Sequence, residues 1–100
     1  MTRVYAERDG NRHILCARGH ADGSEAACAF ISGIIFSLAG YLENADDHVD
    51  TLSYRTEPGD AAFECIGDEC VSAAFEMAVI GLLQLEKSFP QYVKVDAENF

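Results

Sequence analysis

A histidine and a cysteine lie on either side of a predicted strand-to-helix transition in this chain. His20 is in the short connecting loop, and Cys28 follows within the first turn or two of the helix. A thiol becomes a strong nucleophile when its thiolate is favoured, and a nearby imidazole and a helix N-terminus both favour it. Either Asp22 or Ser24 can cap the helix. The residue types and their spacing therefore predict a cysteine–histidine pair suited to acyl transfer.

The chemistry predicted for this pair is acyl transfer. Cys28 attacks a carbonyl carbon, while His20 keeps the thiol ionised and then protonates the leaving group. The backbone N–H groups of Ala27 and Cys28, at the start of the helix, are the predicted oxyanion hole. Asp22 is too close in sequence to His20 for good orienting geometry to be assumed. The prediction is therefore a dyad, with no metal and no cofactor.

Further residues around the pair are candidates for supporting roles. Gly19 and Gly23 flank the histidine and allow its loop to bend sharply. Ser32 lies one helical turn after Cys28, on the same face of the helix. It either supports the site or donates a hydrogen bond to the carbonyl four residues earlier. Glu25 is a favourable charge in the first turn of the helix, although it opposes ionisation of the thiol.

The elements that must position these residues follow from hydrophobic periodicity and turn signals. The order predicted is β-β-α-β-β-α-β, with strands at 4–8, 13–18, 48–56, 61–66 and 92–95. The first helix runs from about Ser24 to Glu43, and the second is capped by Asp68 and ends before Pro90. We expect one α+β domain over residues 1–100, an antiparallel sheet with both helices on one face. Residues 96–100 are predicted to be a polar tail.

Composition limits the classes of partner. Of the 100 residues, 17 are acidic and 7 are basic, a formal charge of −10. Nucleic-acid binding needs clustered basic residues, so this balance argues against it. It suits a cationic protein partner, or solubility alone. The segment from Ala26 to Leu42 carries no charge. Its glycines and serines, and the charged residues that follow, favour a buried helix over a membrane span.

The four cysteines are predicted to be free thiols in a cytoplasmic protein. No apolar run follows the polar start of the chain, so no signal peptide is predicted. The spacings contain no Cys-x-x-Cys. A zinc site built from Cys16, His20, Cys65 and Cys70 is conceivable.

The same residues resemble a known family. Gly19-His20-Ala21, Gly23, Glu25, Cys28-Ala29 and Ser32 are similar to the active-site signature of the ribosomal-processing cysteine proteases (Prp). The resemblance continues in segments 81–85 and 89–95, and it is weakest between about 46 and 67. It implies a homodimeric cysteine endopeptidase with Cys28 and His20 as its catalytic residues. The implied substrate is the precursor of a basic large-subunit ribosomal protein, from which an N-terminal extension is removed.

This chain departs from the family pattern in the loop that carries the histidine. Only seven residues separate His20 from Cys28, fewer than the family usually has. Glu25 stands where the family has Asp, and Ala26-Ala27 replaces a bulkier aliphatic pair. A shorter loop should change which peptide fits and how the site closes. The alternative function is a non-catalytic, dimeric acidic module that binds a basic ribosomal protein, with Cys28 merely packed in the helix.

Overall fold

Two hairpins, two long helices and a final strand make up the fold. The computed structural model describes residues 1–100. Its elements are β1 (Thr2–Asp9), β2 (Arg12–Arg18), α1 (Glu25–Asn44), β3 (Val49–Glu57), β4 (Asp60–Gly67), α2 (Glu69–Ser88) and β5 (Val93–Glu98). The predicted α+β class and element order are confirmed.

The sheet has the strand order β3-β4-β2-β1-β5, and its one departure from prediction is the last strand. Three of the four pairings are antiparallel, as expected, whereas β5 pairs parallel with β1. The reason is the crossover through α2, which returns the chain in the direction of β4. Since β4 and β1 both run antiparallel to β2, a strand added beside β1 in that direction must be parallel to it. The sheet is therefore mixed.

Strand β5 also extends through three residues that were assigned to a polar tail. Asp96, Ala97 and Glu98 pair with Tyr5, Ala6 and Glu7 of β1. Backbone pairing along an exposed sheet edge does not depend on apolar side chains, so the polar composition of this segment did not reveal the strand. The prediction of a tail from residue 96 is therefore wrong for these three residues.

Both helices pack on one face of the sheet, as predicted. Alternate residues of the central strands, such as Val4, Leu15 and Phe63, are buried on this face beneath the helices. Together with the inner stripes of α1 and α2 they form a single hydrophobic core of 20 buried residues. In β3 the alternation of more and less exposed residues is interrupted where the register of its pairing with β4 shifts, between Val49 and Thr51, the position of a β-bulge.

Helix α1 is long and apolar enough to cross a membrane by length and composition alone. Within this fold its inner residues, Ile31, Ile35, Leu38 and Leu42, belong to the core. Their spacing of three to four residues places them on one side of the helix. The high hydropathy of α1 therefore reflects, at least in part, the residues that it contributes to the core of this domain.

His13 is a buried histidine whose hydrogen bonds are both satisfied. Its Nδ1 lies 3.2 Å from the carbonyl oxygen of Cys65, and its Nε2 lies 2.8 Å from the hydroxyl of Ser72. A carbonyl can only accept, so Nδ1 carries the proton of the neutral ring and Nε2 accepts from the hydroxyl. The ring stacks on Phe75 with the two centroids 5.1 Å apart. His13 therefore belongs to the core and not to the candidate site.

Burial lowers the pKa of His13 below its ordinary value of 6.5, which makes stability depend on pH. The unfolded chain binds this proton more readily than the folded protein. The stability that the neutral His13 ring contributes is therefore fully present above about pH 6.5, and it is lost as the pH falls through the lower pKa of the folded state. Urea unfolding of the wild type should show a falling midpoint between pH 7.5 and pH 5. His13→Gln cannot titrate and should show a shallower fall. Equal pH dependence in the two proteins would contradict this assignment.

Candidate active site

The loop that carries His20 is fixed at its base by two hydrogen bonds. Gly19 has φ = 91°, a left-handed conformation that favours glycine, and it turns the chain sharply where β2 ends. Its N–H donates to the carbonyl oxygen of Gly59 at 2.9 Å. Its own carbonyl accepts from the hydroxyl of Thr2 at 3.2 Å. His20, the next residue, is exposed to solvent.

Cys28 lies in the first turn of α1, as predicted. Of the two candidate caps, the structure uses Ser24, whose side chain accepts from the N–H of Ala27 at 3.1 Å. Cys28 is then the fourth residue of the helix and is half-buried. Its thiol donates to the carbonyl oxygen of Ala21 at 3.5 Å, which holds the sulfur beside the loop that bears His20.

His20 and Cys28 line the same open cavity, which has a volume of about 390 Å³. One wall is the start and first turns of α1, including Ile31, Ile35 and the exposed Phe36. The opposite wall is the turn between β3 and β4, from Thr56 to Ala61. The two sequence-predicted catalytic residues therefore share one solvent-accessible space that is large enough for a peptide side chain.

The turn between β3 and β4 meets His20 directly. The backbone of Gly59 lies so close to the imidazole that a Cβ there would collide with Nε2 and approach Cε1 to 2.7 Å. Two arginines anchor this turn. Arg55 donates to Asp60 at 3.1 and 3.3 Å, and Arg18 lies 3.7 Å from the same carboxylate. The hydrogen bond from Arg55 lowers the pKa of Asp60, which keeps the carboxylate ionised and paired with the two guanidinium groups.

The predicted supporting residues have different environments. Ser32 is exposed and lines the cavity, one turn after Cys28, and its hydroxyl makes no hydrogen bond within the chain. Glu25 is exposed in the first turn of α1 and does not line the cavity. Gly23 has φ = 96°, and the space beside its Cα is occupied by the ring of Tyr92, 3.4 Å from where a Cβ would lie. Gly23 therefore shapes the loop without contacting the cavity.

The predicted oxyanion donors are already engaged in this structure. The N–H of Ala27 donates to the side chain of Ser24, and the N–H of Cys28 donates to the Ser24 carbonyl oxygen at 3.2 Å. This follows from the choice of cap, because a serine N-cap satisfies the third helical N–H and the fourth makes the first regular helical bond. The N–H groups of Glu25 and Ala26 have no partner within the chain. Neither of these two residues lines the cavity that contains Cys28.

The conceivable zinc set is not brought together. Cys65 is buried in the core, whereas Cys16 lies on a strand position that alternates with the core-facing residues of β2. The group that does come together is His48, Asp68 and Cys70 at the start of α2, with candidate ligand atoms within 4.8 Å of one another. His48 Nδ1 lies 2.7 Å from the Asp68 carboxylate, which also caps α2. This cluster shares no residue with the cavity.

Sequence reasoning missed the turn wall of the site. The sequence predicts a connection between the strands at 48–56 and 61–66, but nothing in its local pattern indicates that Gly59 contacts His20. The pairing of β2 with β4 brings them together, since Arg18 at the end of β2 is opposite Asp60 at the start of β4. Only a prediction that β2 pairs with β4 in this register would have located this wall.

Comparison with known proteins adds independent information. No family model matches the chain. It is 27% identical over 94 residues to the ribosomal processing cysteine protease Prp of Mycoplasma genitalium, covering 90% of this chain and 93% of that protein. This similarity, over most of both chains, confirms the resemblance to this family that the sequence indicated.

Solved structures share the fold. The crystal structure of the ribosomal processing protease Prp from S. aureus, in complex with a covalently linked product peptide, superimposes with a TM-score of 0.80 at 14% identity. That match covers 97% of this chain and 99% of the other. A Streptococcus mutans protein, SMU.848, gives a TM-score of 0.75 at 23% identity over 98% and 94% of the two chains. The predicted fold is confirmed by these superpositions.

Proposed function

We infer that this chain is a cysteine peptidase of the ribosomal-processing cysteine protease family, with Cys28 as its nucleophile and His20 as its general base and acid. The observation that supports this most strongly is that both side chains line one open cavity, with the cysteine in the first turn of a helix. The full-length similarity to a curated ribosomal processing protease supports the same assignment.

The proposed reaction has two halves. His20 takes the thiol proton, and the sulfur of Cys28 forms a bond to the peptide carbonyl carbon. The carbon–nitrogen bond then breaks, and His20 gives its proton to the leaving amine, which leaves a thioester on the enzyme. Water next attacks the thioester, with His20 as base. The carbon–sulfur bond breaks, the carboxylic acid product leaves, and the thiol is regenerated.

The charge that develops on the carbonyl oxygen requires hydrogen-bond donors that face the cavity. The N–H groups of Ala27 and Cys28 are bonded to Ser24, and Glu25 and Ala26 do not line the cavity. Ser32 lies in the same cavity and could contact the substrate backbone through its free hydroxyl.

The proposed substrate is the precursor of a basic large-subunit ribosomal protein, and the proposed compartment is the cytoplasm. A net charge of −10 attracts a cationic chain. Glu57 on the turn wall is a further acidic group at the cavity, while Ile31 and Phe36 offer apolar contacts to the substrate. We also propose that the protein forms a homodimer, as the resemblance to the family implies.

Alkylation by iodoacetamide tests the dyad without a substrate. Cys70 provides an internal control, because it is also a cysteine near a helix start and is more exposed than Cys28. At neutral pH, His20→Ala should slow alkylation of Cys28 by about tenfold or more, while leaving the rate at Cys70 unchanged. His48→Ala should have the reverse selectivity, because His48 lies beside Cys70. If His20→Ala leaves the Cys28 rate unchanged, the dyad is refuted.

Cleavage itself is tested with the extended ribosomal protein precursor. Wild-type protein should shorten it at one bond, as intact-mass measurement would show, and Cys28→Ala should bind it without shortening it. Binding by both proteins without cleavage would instead favour a non-catalytic acidic module.

A further inference from the structure

We propose that the turn between β3 and β4 positions the catalytic imidazole, and that Gly59 is the positioning residue. This inference rests on the proposed function, because it assigns the part of the fold that limits where the His20 ring lies in the cavity it shares with Cys28. The sequence offers no third side chain for this role, and the His20 ring makes no hydrogen bond within the chain. The orientation must therefore come from packing.

Gly59 contacts His20 and its neighbour in two different ways. Its carbonyl oxygen accepts from the N–H of Gly19 at 2.9 Å, which fixes the backbone immediately before the histidine. Its Cα faces the imidazole edge that carries Nε2, and only a missing Cβ leaves room for the ring. The hydrogen bond fixes the backbone next to His20, and the close approach of Gly59 limits where the imidazole ring can lie.

The turn cannot readily yield to a larger residue, whereas the imidazole can. Asp60 is held by Arg55 and Arg18, and the residues on either side of the turn are paired within β3 and β4. The His20 ring is exposed and lies at the end of a rotatable side chain. A methyl group at position 59 should therefore displace the imidazole and leave the turn in place. Displacements of about 1 Å at a reacting group can cost about a hundredfold in rate.

Gly10 provides a matched control for the backbone. It lies in the turn of the other hairpin with φ = 60°, against φ = 71° for Gly59, so alanine is similarly unfavourable at both positions. A Cβ on Gly10 meets no atom within 4 Å, whereas one on Gly59 meets the imidazole. The difference between Gly59→Ala and Gly10→Ala therefore isolates the contact with His20.

The kinetic test compares these variants in two backgrounds. Gly59→Ala should lower kcat for peptide cleavage by about tenfold to a hundredfold with little change in KM, and should slow alkylation of Cys28 but not of Cys70. Gly10→Ala should leave all these values near wild type. In a His20→Ala background, Gly59→Ala should have no further effect on the Cys28 rate, because there is no ring to displace. An equal effect in both backgrounds, or wild-type values for Gly59→Ala, would overturn the proposal.

NMR of the His20 ring tests its contact with Gly59 independently of peptidase activity. The Hε1 and Hδ2 NMR signals of His20 should move in Gly59→Ala and stay in place in Gly10→Ala, whether or not the protein cleaves a peptide. Unchanged ring signals in Gly59→Ala would refute positioning by the turn. Shifted signals in a protein that shows no cleavage and no His20-dependent alkylation would refute the peptidase assignment and retain the contact.

Discussion

Replacing Cys28 by Ala is expected to abolish cleavage of the precursor, with a loss in kcat of about 10⁴-fold or more. Cys28 carries the only thiol that lines the cavity, so no other group there can form the thioester. His20→Ala is expected to lower kcat/KM by about 10²- to 10⁴-fold, the contribution typical of general acid–base catalysis. Steady-state cleavage of a peptide that spans the processing site measures both values.

Cys70→Ala is the matched control for this experiment. Cys70 is an exposed cysteine at the start of a helix, but it lies outside the cavity that contains His20. Its replacement should leave cleavage within a factor of about two, as expected for a surface change away from the site. Retained cleavage by Cys28→Ala, or a comparable loss in Cys70→Ala, would show that the nucleophile is not Cys28.

Phe75→Ala is expected to cost about 3–5 kcal/mol of the free energy of unfolding, the usual range for a buried phenylalanine. Phe75 is fully buried, belongs to the inner stripe of α2 and stacks on His13. The truncation leaves a cavity beneath the centre of the sheet and removes the stacking partner of a buried polar ring. A protein of this size is typically stable by only about 5–15 kcal/mol, so much of the total would be lost.

Phe36→Ala is the matched control for Phe75→Ala, because it removes a phenyl ring that is not buried in the core. Phe36 is on α1 and is 64% exposed, so its truncation leaves no cavity in the core. Chemical denaturation should place it within about 0.5 kcal/mol of wild type. Similar losses in the two variants would mean that the core is not centred on α2 and the His13 ring.

The two halves of the site come from different parts of the chain. The first half is continuous, because the loop after β2 and the start of α1 bring His20 and Cys28 together within nine residues of sequence. The second half is the β3–β4 turn, which begins 29 residues after Cys28, at Glu57. Only the antiparallel register of β2 and β4, with Arg18 opposite Asp60, places that turn over the histidine.

The sequence by itself determined the parts of this protein that depend on near neighbours. Hydrophobic period and turn residues predicted all seven elements in order, and the helix start predicted where Cys28 would lie relative to His20. These signals are local because side-chain spacing in helices and strands, and capping at helix ends, involve residues at most a few positions apart.

Tertiary structure decided what depends on distant segments. The direction of β5 follows from the crossover through α2 and from the free edge of β1. The wall formed by Gly59 follows from strand register. Each depends on the free energy of packing or pairing residues that are far apart in sequence, and no local pattern records which of these contacts will form.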